Sequence, residues 1–264
     1  MADTDAVRGA GLPDRLPVAQ TPTEPGPPVV QPERVMTLVD HLTELRNRII
    51  KAVAAIIAGT VVGFLVADPI KRVLVAPLPA SALPLQVLAP GDAFSIQVRI
   101  AVVVGIIVAM PVLLYQLWAF VAPGLTATER KALRPWIPLA LFFFVLGVSI
   151  AYVILPFAIG FLLAFTNDTI VAHLAATPYF DFVTTMFLAF GLLMEFPIVL
   201  YALARVGILN SHRLETSRRP IFLGIVIFAA IATPGGDLVS PTILATTMYV
   251  LFELTLRAIR RSGR

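Results

Sequence analysis

The feature that most limits what this chain can fold into is the length of its apolar runs. Stretches such as IIKAVAAIIAGTVVGFLVA, residues 49–67, are almost free of charge and of turn signals. A helix needs about 20 such residues to cross a hydrocarbon core roughly 30 Å thick. Inside that core every backbone N–H and C=O must be satisfied within the chain, which leaves helices or closed barrels. Barrel strands would alternate in polarity and these runs do not, so they predict helices. Composition supports this: 58% of the 264 residues are hydrophobic, 14% are charged and mean hydropathy is +0.88, a balance rare in soluble domains.

The predicted fold is all-α and polytopic, with six transmembrane helices at about 49–67, 95–120, 134–165, 180–205, 220–233 and 240–256, inside a membrane domain of residues 36–257. Leu38, Leu42, Leu45 and Ile49 recur at helical spacing ahead of the first span and predict an amphipathic stretch lying on the membrane surface. The segment 68–91 holds five prolines and predicts a structured loop with short helices. The 32 residues of 134–165 would reach roughly 48 Å as an unbroken helix, so this span must tilt, kink at Pro156 or project beyond the bilayer. The last two spans are short and are joined by Pro234, Gly235, Gly236 and Asp237. Residues 1–35 carry seven prolines and no apolar run and are expected to form a disordered cytoplasmic tail, while 258–264 make a basic cytoplasmic tail.

Orientation follows from the basic residues. Fifteen of the twenty Lys and Arg lie near span ends on one side, among them Arg46, Arg48, Lys51, Arg130, Arg134, Arg218 and Arg260, and Arg8 and Arg15 join them in the tail. Lys71, Arg72 and Arg99 are left for the other side. This positive-inside pattern predicts both termini in the cytoplasm. It also accounts for the net charge of +4 through topology and anionic membrane lipid, with no need of a nucleic-acid partner. The chain has no cysteine, and His41, His173 and His212 lack ligand spacing, so no metal site or cofactor is expected. No HExxH, GxSxG or P-loop occurs, and no catalytic residue is assigned.

A few polar residues call for explanation. Glu195, in FGLLMEFPIVL, is a carboxylate inside the fourth span, where charge is costly; it is either a structural hydrogen-bonding group in a helix interface or part of a polar cavity used by a substrate or partner. Glu44, in HLTELRNR, can pair with Arg48 at i,i+4 spacing. Glu129, in GLTATERKALRP, can close a capping box on Thr126. These local readings leave open why two carboxylates sit among so many basic groups, since an anionic pair can also bind guanidinium ligands by bidentate contacts. Gln116 in YQLWAF is polar at membrane depth and can face a partner, beside Tyr115 and Trp118 of an aromatic belt. Asp237 can cap the sixth helix ahead of Ser240 and Pro241. Gly59 and Gly63 form a small-xxx-small face.

HLTELRNR at 41–48 and PVLLYQLWAFVAPGLTATERK at 111–131 resemble the two most recognisable motifs of the TatC family, the large subunit of the twin-arginine protein translocase. APL at 76–78, LPFAIGFLLAF, FGLLMEFPIVL and TPGGDLVSPTILATTMYVLFEL agree in order, so the resemblance covers roughly residues 38–257. It implies a cup-shaped six-helix bundle in a prokaryotic inner membrane that receives folded proteins bearing twin-arginine signal peptides. It further implies that Glu44 and Glu129 bind the arginine pair and that Arg46 shapes this surface. Glu195 would correspond to an intramembrane glutamate contacting small single-span subunits of the TatA and TatB type. Pro77 and Phe94 correspond to positions in the first outer loop, and Asp237 to an acid ending the fifth span. Further copies of the chain are expected partners, and export would draw on the proton motive force. Thr126 stands where the family often has an aromatic, TPGGD is one residue longer than the usual TPPD, and Pro241 replaces a frequent glutamine. Two other classes compete: a secondary transporter with Glu195 as proton relay, and a scaffold that recruits single-span partners without binding cargo.

Overall fold

In the computed structural model the described residues are 38–167, 173–205, 207–209, 211–233 and 236–261. Contacts divide the chain into Met1–Leu38 and Val39–Arg264, and the fold described here is that of the second unit. The proline-rich tail at 1–35, the tip of the loop at Pro234 and Gly235, and residues 262–264 lie outside the described residues.

Ten α-helices follow in order among the described residues: α1 (Leu38–Leu65), α2 (Ala67–Val75), α3 (Asp92–Val121), α4 (Ala127–Leu133), α5 (Trp136–Leu163), α6 (Ala176–Leu193), α7 (Phe196–Arg205), α8 (Ser211–Thr216), α9 (Arg218–Ala232) and α10 (Val239–Arg261). Five segments are long and apolar enough to cross a membrane: α1, α3, α5, α6 continuing into α7, and α10. The sixth predicted span, 220–233, is the 15-residue α9, about 22 Å long at the usual helical rise and short of a full hydrocarbon core.

Several boundaries differ from the sequence-based expectation for physical reasons. The amphipathic stretch at 38–48 and the first span form one continuous 28-residue helix, α1, with no turn between surface and membrane. Nothing in that stretch breaks a helix: it has no proline or glycine, and six of its eleven residues are the good helix formers Leu, Glu and Arg. The third span begins after Pro135 and ends at Leu163, and Pro156 lies within the helix. The fourth span begins earlier, at Ala176, and is interrupted at Met194 and Glu195. The interruption falls just before Pro197, whose ring lacks an N–H and clashes with the carbonyl one turn back. The basic stretch from 258 is not a separate tail, because α10 continues through Arg261. The loop at 68–91 carries α2 and a 3-10 turn at Ala80–Ala82, as its prolines predicted.

The interior is built around α6, which packs against α5 and α3, while α10 packs against α9, α7 and α5. Val183, Met186 and Phe190 of α6 are fully buried with Phe144 and Leu155 of α5 and Leu244 and Phe252 of α10. Gly191 leaves room for the Phe144 ring, because a Cβ there would lie 2.7 Å from its Cε2. By contrast, only 11% of the most apolar part of α1 is buried, and Ile50, Ile57, Val61 and Leu65 are exposed. In water such a helix would be an aggregation site; in lipid it is an ordinary outer face.

The glycine face of α1 lies against α3. A Cβ on Gly59 would stand 2.5 Å from the Gly105 carbonyl oxygen, and Gly63 is equally close to Ala101. The two loops at the far ends of the helices are joined as well: the Gln86 N–H donates to Leu174 O at 2.9 Å and the Ala176 N–H to Gln86 O at 2.7 Å. Tyr179 donates its hydroxyl to Leu74 O at 2.6 Å, tying the start of α6 to α2. Arg99 of α3 pairs with Asp181 of α6 at 2.6 Å.

Candidate functional site: a carboxylate seat at the end of α3

The first turns of α1 present His41, Glu44 and Arg48 at intervals of three and four residues, the spacing of one helix face. That face meets the last turns of α3, where Gln116 and Phe120 are likewise one turn apart. His41 stacks on Phe120 with ring centroids 4.4 Å apart. Arg48 donates from Nε at 3.3 Å and Nη2 at 2.8 Å to the same oxygen, Oε1 of Glu44. Its other terminal nitrogen, Nη1, donates to Gln116 Oε1 at 3.2 Å. The i,i+4 pair expected from sequence is therefore present, and it is part of a bridge between helices.

The other oxygen of Glu44 has a different status. Glu44 Oε2 is buried and has no hydrogen-bond partner among the described residues. That oxygen therefore keeps lone pairs with which it can accept a further hydrogen bond. Arg46 projects from the exposed side of α1, and its guanidinium donates to Asn47 Oδ1 at 3.5 Å.

Glu129 is carried to the same end of α3 by the chain. After α3 a 3-10 turn, Ala122–Gly124, leads to Thr126 and α4. The predicted capping box is formed: Glu129 N–H donates to Thr126 Oγ1 at 3.4 Å, and Thr126 N–H donates to Glu129 Oε2 at 3.1 Å. The Thr126 hydroxyl also donates to Glu129 Oε2, at 2.9 Å. Arg130 folds back to donate Nε and Nη2 to Ala122 O at 3.2 and 2.8 Å, which fixes α4 on the end of α3. Glu44, through Arg48 and Gln116, and Glu129, through this turn, are thus both anchored to the last residues of α3.

The remaining sequence-predicted positions lie apart from this seat. Glu195 sits in the break between α6 and α7, with Oε1 buried and unpartnered among the described residues. Asp237 is buried and accepts the Ser240 N–H at 2.6 Å, the capping contact expected for α10, while its second oxygen is buried without a donor among the described residues. Pro77 follows α2 and Phe94 is exposed in the first turn of α3. Contacts between distant elements were not visible in the sequence: the Arg48–Gln116 bond across 68 positions, the Arg218–Glu253 pair at 3.3 Å, the Arg260–Glu215 pair, and Trp136 stacked on Tyr201 at 3.6 Å.

These features define a multi-pass helical membrane protein with two carboxylates, Glu44 and Glu129, each tied to the last turns of α3. The family model described as "Sec-independent protein translocase protein (TatC)" matches residues 40–246, and the chain belongs to that family. It is 34% identical over 225 residues to the Sec-independent protein translocase protein TatC of Carboxydothermus hydrogenoformans, covering 85% of this chain and 93% of that protein. It is 33% identical to TatCy of Bacillus subtilis over 223 residues, covering 84% and 87% of the two chains. Among solved structures, the crystal structure of the twin-arginine translocase receptor TatC superposes with a TM-score of 0.73 at 32% identity, covering 85% of this chain and all of that one.

Proposed function

We propose that this chain is the receptor subunit of a twin-arginine translocase, and that Glu44 and Glu129 bind the arginine pair of the signal peptide. The observation that carries the reading is that Glu44 already takes an arginine: two N–H groups of Arg48 converge on Oε1, and Oε2 has no donor among the described residues. Guanidinium, with five donors in a planar fork, suits such a seat better than ammonium does. Glu129 offers a second carboxylate on the same end of α3, and Arg46 contributes to the surface around them.

In this reading the bundle has six spans with both termini in the cytoplasm, and α9 crosses where the bilayer is thinned or shielded by protein. The basic residues support that orientation. Residues 1–35 form a cytoplasmic tail and 36–257 the membrane domain. Glu195 and Gln116 are offered as polar groups facing the TatA- and TatB-type single-span subunits. Pro77, Phe94 and Asp237 are offered as structural positions of the outer side. Binding of the signal recruits those subunits and further copies of the chain, and the proton motive force drives passage.

The test is binding of a fluorescent twin-arginine signal peptide to the purified protein in nanodiscs. Glu44→Gln and Glu129→Gln are each expected to weaken binding by about tenfold or more, the loss of one charge-assisted contact. Undiminished binding by both variants would refute the assignment.

A further inference from the structure

Toward the end of the bundle opposite Glu44 and Glu129, helices α2, α3, α5 and α6 enclose a cavity of about 450 Å³, lined by Val73, Ile100, Val103, Val104, Val153 and Phe187 among others. Val73 and Val153 are exposed, whereas Ile100 and Val103 are 1% and 8% exposed, so the cavity opens on the outer surface and runs inward between the helices. Three hydroxyls also line it. Ser149 donates to Val145 O and Thr184 to Phe180 O, each within its own helix. Tyr152, set edge-on against Phe187, has no hydrogen-bond partner for its hydroxyl among the described residues. On α2, between the lining residues Ile70 and Val73, Lys71 pairs with Asp68, while Arg72 is exposed and forms no ion pair among the described residues. Arg99, near the same end of α3, pairs with Asp181.

We propose that this cavity is a binding site for one acyl chain of an anionic phospholipid, drawn from the leaflet at this end of the bundle. Such a site stands whether or not Glu44 and Glu129 bind a signal. An empty gap between helices forfeits dispersion contacts, and a lining this apolar favours a hydrocarbon ligand. A helix is about 10 Å across with its side chains, so roughly one turn would fill the space; a hydrocarbon chain is slender enough to thread inward. The free Tyr152 hydroxyl donates to an ester carbonyl. Arg72 reaches the phosphate, with its aliphatic stem along the apolar surface. The bound lipid then joins α2 to α3 and α5.

The experiment uses the full chain in phosphatidylcholine vesicles containing a small fraction of phosphatidylglycerol with a diazirine on one acyl chain, irradiated and mapped by peptide mass spectrometry. Adducts are expected on Ile100 and Val103, which bulk lipid does not reach, and on the exposed Ile57 and Val61 of α1. Val104→Phe, which fills the cavity, and Val153→Phe, which narrows its mouth, should remove the first set and leave the second, so labelling of α1 reports that each variant is inserted. Tyr152→Phe and Arg72→Gln should each lower labelling of Ile100 and Val103 about fivefold, the loss of one hydrogen bond or charge-assisted contact. A diazirine phosphatidylcholine should label α1 equally and the cavity about fivefold less. No adducts on Ile100 and Val103 in the wild type, or adducts that persist in both phenylalanine variants, overturn the site. Equal cavity labelling by the two headgroups, or labelling unmoved by Arg72→Gln, overturns the anionic assignment. A signal peptide with a diazirine in its apolar segment that labels Ile100 and Val103 where the lipid does not gives the cavity to the peptide, which overturns the lipid site and supports the receptor reading.

Discussion

Glu129, proposed for recognition, also has a structural role. Its Oε2 accepts the backbone N–H and the hydroxyl of Thr126, which starts α4 and sets the direction of the side chain. Thr126→Ala should cost about 1 kcal/mol of local helix stability, seen as roughly fivefold faster amide exchange across residues 127–133, with weaker signal binding as Glu129 loses its orientation. At the other end of the bundle Asp68 accepts from Lys71 Nζ at 2.8 Å, and that ammonium holds the carboxyl below its ordinary 3.8. With the folded pKa depressed, any contribution of the pair is present above the unfolded value and is lost as pH falls through the folded one. Lys71→Met should return the Asp68 midpoint, followed by NMR, upward toward 3.8. The capping box spans three residues and was legible in the sequence; the Gln116 end of the Arg48 bridge was not, because nothing local encodes a partner 68 positions away.

Between helices, small residues set the distances. Gly59 and Gly63 of α1 were recognisable as a pair at helical spacing, but their partners Gly105 and Ala101 became identifiable only from the packing. Because the nearest atoms at Gly59 are backbone atoms of Gly105, a methyl group there cannot be absorbed by a rotamer change. Gly59→Ala should destabilise the protein by about 1–3 kcal/mol, lowering Tm in detergent. Gly160→Ala, at a helical position with nothing within 4 Å, should raise Tm slightly, since alanine is the better helix former. The break at Met194 and Glu195 was only half legible: Pro197 signals a disturbed helix, yet proline also lies inside α3 and α5, where the helices run on. Neighbouring helices decide which outcome occurs, and the sequence does not display those neighbours.

For the whole molecule, long apolar runs announced a helical membrane protein, and charge bias predicted its orientation. The weak point of that reading was α9, whose 15 residues approach the limit at which length alone identifies a span. The absence of native cysteine makes the topology directly measurable with single introduced thiols. Cysteine at Thr216, before α9, should label from the cytoplasmic side and cysteine at Leu238, after it, from the opposite side. Labelling of both from one side would mean five spans.

If Glu44 and Glu129 at the end of α3 receive the arginine pair, a precursor will lie against them. Site-specific photocrosslinking detects this, with probes at the exposed positions Asn47 and Thr128 near the two glutamates, in membranes presented with a radiolabelled precursor. Adducts with a twin-arginine precursor that fade with its twin-lysine version, and fade again after charge reversal of Glu44 or Glu129 in stably inserted protein, are the predicted result. Equal labelling of both precursors, or none in an intact assembly, would contradict it.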